Sequence, residues 1–138
     1  MGTSYGTSAL RGYAVARSAE AMLRTVGATT VHVIRLAQIT GTLGQRELGQ
    51  AQPQYDDVAI GPAAISVESV PPAAMKIDVL LPARVVARQA EAEGAESGTA
   101  WLLSARGILH EGTLLRISKV KADSFAGVEY LYHVTAEV

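Results

Sequence analysis

The segment "GVEYLYHVTAEV", Gly127 to Val138, alternates so regularly that only an extended chain sorts its residues. In a strand, successive side chains point to opposite faces. Tyr130, Tyr132, Val134, Ala136 and Val138 then share one face, and Glu129, Leu131, His133, Thr135 and Glu137 share the other. Helical winding would scatter both sets around a cylinder. A second segment, "MKIDVLL", follows the same rule. Met75, Ile77, Val79 and Leu81 point one way, and Lys76 and Asp78 point the other. Both read as half-buried strands, which commits the chain to a sheet with one face packed.

The remaining elements are placed around these two. Ser8 is expected to cap a helix reaching Val26, with Gly27 ending it. Leu10, Tyr13, Met22, Leu23 and Val26 recur there at helical spacing, and Arg11, Arg17, Ser18, Arg24 and Thr25 make the polar side. "TTVHVIRL", Thr29 to Leu36, is β-branched and alternating, as a strand requires. "VAIGPAAISVESV" reads as one or two short strands with a break at Gly61-Pro62, and Pro71-Pro72 forces an extended turn. Pro82 suits the first position of a helix through "ARVVARQAEAEGA" that ends at Gly94, with a strand through Val86 as the alternative. "SGTAWLLSARG" holds a further short helix ending at Gly107. "ILHEG" is a short strand and turn, "TLLRISKV" a strand and "KADSFAG" a turn-rich connection to the last strand, which should pair antiparallel with it. The expected fold is mainly β: a small antiparallel barrel or sandwich of about six strands, with an N-terminal helix and one or two helices between strands. The expected organisation is a single domain over 1–138, with a helical arm at 1–28, a long loop at 37–54 and a core at 55–138 carrying the helical insertion.

The segment from Ala37 to Gln54 lacks periodicity. It carries Gly41, Gly44 and Gly49, and Arg46 and Glu47 are its only charged residues. Structureless stretches of that length inside a small domain are usually functional or disordered. Charge is also uneven along the chain. Residues 1–50 hold Arg11, Arg17, Arg24, Arg35 and Arg46 against Glu20 and Glu47, whereas 51–100 hold three basic residues against seven acidic ones. Such polarity suits head-to-tail contact between copies, although random surface clustering gives the same count.

Reactive chemistry is sparse. Cysteine is absent, which removes disulfides, thiolate metal sites and a thiol nucleophile. His32, His110 and His133 lie in or beside strands, and none has a second histidine at ligand spacing. Asp56 and Asp57 are adjacent and would diverge in a strand. Neither a glycine-rich phosphate loop nor a Gly-x-Ser-x-Gly elbow occurs. A net charge of -1 excludes a generally basic nucleic-acid binder. Tyr130 and Tyr132 share their face with valines, as core residues do, and Lys119 and Lys121 are too few for a groove. No apolar run suits a bilayer span, and "MGTSYGTSALRGY" lacks the pattern of a secretory signal. These features lead us to expect a protein without catalytic activity, cofactor or metal.

The C-terminal third resembles the head-closure, or stopper, proteins of tailed bacteriophages and their prophage and gene-transfer relatives. The pattern is a strand entering a turn glycine ("HEGTLLRI", His110 to Ile117), continuing through "SKVKADSFAG" and closing on an aromatic strand ("VEYLYHV", Val128 to Val134). Upstream, "YDDVAIGPAAISVES" followed by "MKIDVLLPA" is similar to the paired strands that precede a helical insertion in that family. The N-terminal helix departs from the many stoppers that begin closer to their first strand. The resemblance implies a virion protein of the neck, assembled in the bacterial cytoplasm. It implies a homo-oligomeric ring whose partners are the portal or adaptor above, the tail terminator or tail tube below, and packaged DNA held without sequence specificity. By position it assigns the long loop, with Thr42, Gln45, Arg46, Glu47 and Gln50, to the channel or a neighbouring ring. In that setting Arg11, Arg17 and Arg24 are expected to face an adjacent subunit or the ring above. The rival expectations are a barrel that binds peptide or glycan without an assembly role, and a small enzyme built on His110, Glu111 or His133. Trp101, the one tryptophan, sits among apolar residues in "TAWLLSA" and is expected to be buried.

Overall fold

Alternation in the sequence becomes inward and outward facing in a closed barrel. The computed structural model describes residues 3–27, 29–36, 55–69 and 72–138. Helix α1 (Thr3–Val26) leads to strands β1 (Thr29–Leu36), β2 (Tyr55–Ser69) and β3 (Lys76–Pro82). Helices α2 (Ala83–Ala92) and α3 (Gly98–Leu103) follow, and then β4 (Gly107–His110), β5 (Thr113–Phe125) and β6 (Val128–Glu137). The strands close in the order β1-β2-β3-β6-β5-β4, with β4 pairing back to β1, and every pair is antiparallel.

The interior is filled by the residues that alternation placed there. Ile77, Val79 and Leu81 of β3 meet Val134, Ala136 and Tyr132 of β6, together with Val31, Val33, Ile60, Ile108 and Leu115. Val138, which shares their parity, lies beyond the strand end and is exposed. Among the described residues no polar or charged side chain is buried, so the core is held by apolar packing.

Helices α2 and α3 plug the barrel. Pro82 is the last residue of β3 and the N-cap of α2, one position earlier than expected, because its extended ψ of 124° still belongs to the strand. α2 ends through a linked pair of reversed bonds: the Ala95 N–H reaches the Ala90 carbonyl at 2.8 Å and the Gly94 N–H reaches that of Glu91 at 3.1 Å. Gly94 takes φ +71°, the left-handed turn this ending needs. Ser97 caps α3, its hydroxyl accepting the Ala100 N–H at 3.0 Å. Trp101 is fully buried, as expected. Its indole N–H donates to Glu93, and the Arg35 guanidinium stacks 4.8 Å from the ring centroid while pairing with Glu93 at 3.3 Å. Gly98 is required by close approach, since a Cβ there would collide with the Tyr132 phenol.

Four further expectations need correction. Ser8 lies inside α1, because serine is a tolerable helix residue and the chain continues the helix through it. β2 runs unbroken across the Gly61-Pro62 bond, which is cis. Its first half pairs with β1 and its second half with β3, so this is where the strand passes from one sheet to the next. "KADSFAG" is mostly strand, because β6 continues pairing as far as Phe125↔Val128 and a shift between Asp123 and Ser124 absorbs the irregularity. Gly107 opens β4, and α3 ends earlier, at Leu103.

Candidate interaction surface

Helix α1 lies on the barrel through its small residues. Gly12, Ala16, Ala19 and Leu23 form its buried stripe. A Cβ at Gly12 would stand 2.6 Å from the Val128 side chain and 2.7 Å from the Phe125 carbonyl, so the helix rests directly on the β5–β6 hairpin. Of the larger residues expected to pack, only Leu23 does. Leu10, Tyr13, Met22 and Val26 are all more than half exposed. Close backbone approach selects the small residues and turns the large ones outward.

A second apolar surface lies on the outer face of the sheet formed by β1, β2, β4 and β5. Register assembles it from distant parts of the sequence. Leu36 pairs with Tyr55, His32 with Leu109, and Leu109 with Leu114. Leu36, Tyr55, Leu109 and Leu114 are between 37% and 56% exposed, too much for core residues and too closely grouped for isolated surface leucines. An open groove of about 610 Å³ runs between Ile34, Tyr55, Leu109 and Leu114, with Arg106 and Arg116 also lining it. The Arg106 main-chain N–H donates to the Ile34 carbonyl at 2.8 Å, which fixes that arginine to the end of β1.

The opposite sheet carries charge on its outer face. Lys76 pairs with Glu68 at 3.3 Å, His133 with Asp123 at 2.7 Å, and Thr135 donates to Asp78 at 2.9 Å. A hydrogen bond with the Glu68 carboxyl, helped by Thr135 and Lys76, holds Asp78 below the usual carboxylate range against partial desolvation. His32 pairs similarly with Asp57 at 2.8 Å on the first sheet. Both His–Asp pairs stand on open sheet faces, and His110 and Glu111 sit at the β4–β5 turn. Among the described residues no three His, Cys, Asp or Glu side chains are grouped to hold a metal, and no helix is long and apolar enough to cross a membrane.

Arg11, Arg17 and Arg24 are all exposed on α1. At about 100° per residue, Arg17 and Arg24 project within about 20° of each other and Arg11 about 120° away from Arg17. Arg24 reaches Glu20 at 3.5 Å, and Glu20 also takes Arg84 of α2 at 3.1 Å. Thr42, Gln45, Arg46, Glu47 and Gln50 lie outside the described residues. The groove residues were not singled out by sequence reasoning, since only the barrel register brings them together. Compared with known protein families, with characterised proteins and with solved structures, the chain matches none.

Proposed function

We propose that this protein is a structural subunit of the neck of a tailed bacteriophage or a related prophage-derived or gene-transfer particle. Copies form a ring between the portal or adaptor and the tail. The ring helps retain packaged DNA without reading its sequence and offers a docking surface to the tail terminator or tail tube. In this reading the protein has no catalytic task and no cofactor, and it joins the virion in the host cytoplasm.

The observation that carries the reading is a closed barrel that still exposes apolar side chains on separate outer surfaces, one on α1 and one around Tyr55. Closure gives each of the six strands two neighbours and so leaves little edge for strand addition. Association must then use side chains, and exposed apolar patches are the usual sign of such contacts. The sequence pattern shared with stopper proteins points to the neck as the place. Leu36 and Tyr55 are register partners, so β1 ends and β2 begins at one point on the barrel rim. Repeated around an axis, segments placed there narrow a pore by multiplicity and need little individual affinity.

Gold-labelled antibody against this protein should mark the head–tail junction of particles released by the source strain, and deleting its gene should leave heads and tails unjoined. Complete, unlabelled particles from the deletion strain would remove the proposal. A second reading, a barrel that binds peptide or glycan, is favoured by the groove beside the exposed Tyr55, whose volume is within the usual range for ligand sites. Saturable binding by a monomer that labels no particle would select it.

A further inference from the structure

We propose that the arginine-lined groove on the outer sheet face receives the acidic surface of α2 and the α2–α3 turn from a second copy of this chain, head to tail. This rests on the ring reading above and names the two faces that would build the ring.

The receiving face is the groove between Tyr55, Leu109 and Leu114. Arg106 and Arg116 line it, both exposed and neither in an ion pair among the described residues. Arg116 shares its sheet face with Glu137 across the β5–β6 register, with no ion pair between them. The entering face is the exposed acidic rim of a notch, formed by α2 and the α2–α3 turn where they meet the start of β6. Ala87, Glu91, Glu96 and Glu129 line it, with Tyr132 at its base. Glu129 accepts the Tyr132 hydroxyl at 3.1 Å, while Glu91 and Glu96 are exposed and unpaired among the described residues. The neighbouring cation, Arg84, is already engaged with Glu20 at 3.1 Å, and Arg88 lines neither face. Tyr13 of α1 is half exposed on the adjoining wall, beside Val128, and supplies an apolar anchor.

Charge complementarity selects the occupant. A nucleic acid suits the arginines and is repelled by the notch, whereas a second copy satisfies both faces at once. The two faces share no residue, so the contact is heterologous. Each copy gives one face and receives the other, and the chain of contacts either closes into a ring or grows as a filament.

The test uses two charge-reversed proteins, Arg106→Glu/Arg116→Glu and Glu91→Arg/Glu96→Arg. All four positions are exposed, so both should melt like the wild type. By sedimentation velocity, wild-type mass should rise with concentration. Each variant alone should associate roughly a hundredfold more weakly, because like charges then face each other. An equimolar mixture should restore assembly, since each variant offers the face that the other lacks. A wild type that stays monomeric, a variant that assembles like the wild type, or a mixture that fails to recover overturns the proposal. Recovery in the mixture without labelling at the head–tail junction supports this interface and removes only the neck assignment. Labelled necks without recovery remove only this interface.

Discussion

At the scale of single residues, the barrel depends on a few polar atoms placed at the edge of an apolar interior. Tyr132 is the clearest case. Its ring is buried, and desolvation, reinforced by the Glu129 carboxylate, pushes its phenol up to about 12. An unfolded tyrosine releases its proton near pH 10.0. Between those values the folded state holds more protons than the unfolded one. The contribution is therefore intact below pH 10 and is lost as the pH rises towards 12, at about 1.4 kcal/mol per pH unit. Tyr132→Phe should remove this slope and cost about 1 kcal/mol at neutral pH through the lost bond to Glu129. Urea denaturation of both proteins at pH 8, 10 and 11.5 reads the difference. Parallel pH profiles would show that the phenol has no part in alkaline sensitivity.

Among the elements, the α2–α3 plug ties the helical insertion to the barrel. Trp101 fills it, Glu93 accepts the indole N–H, and Arg35 stacks on the ring. Trp101→Ala should cost about 3–5 kcal/mol, read from the shift of the denaturation midpoint, because a large cavity replaces the ring. A cost below about 1 kcal/mol would mean that the plug is not part of the cooperative unit. Element by element, strands were legible where one face is packed, as in "MKIDVLL" and "VEYLYHV", because burial imposes a period of two. Legibility failed where distant pairing overrides local chemistry. Glycine and proline at 61–62 look like a break, yet β1 and β3 hold the two halves of β2. "KADSFAG" looks like a loop until β6 pairs with it. On α1 the period was right but the face was wrong, since the small residues pack and the large ones look outward. The groove could not be seen at all, because Tyr55, Leu109 and Leu114 are joined only through register.

At the scale of the whole molecule, the described residues form a packed barrel that leaves large apolar side chains exposed on its outer surfaces. Closure makes the barrel independent of any edge partner, and α1 adds a layer without covering Leu10, Met22 or Val26. A basic-lined groove and an acidic notch on separate faces give such a body a direction, and direction is what distinguishes head-to-tail assembly from twofold pairing. In the function we propose, this barrel does its work as a ring of copies. Electron-microscopic class averages of the purified protein, at a concentration where it self-associates, test that claim most directly. We predict closed rings of uniform size with a central opening; single barrels, twofold dimers or open filaments would contradict it.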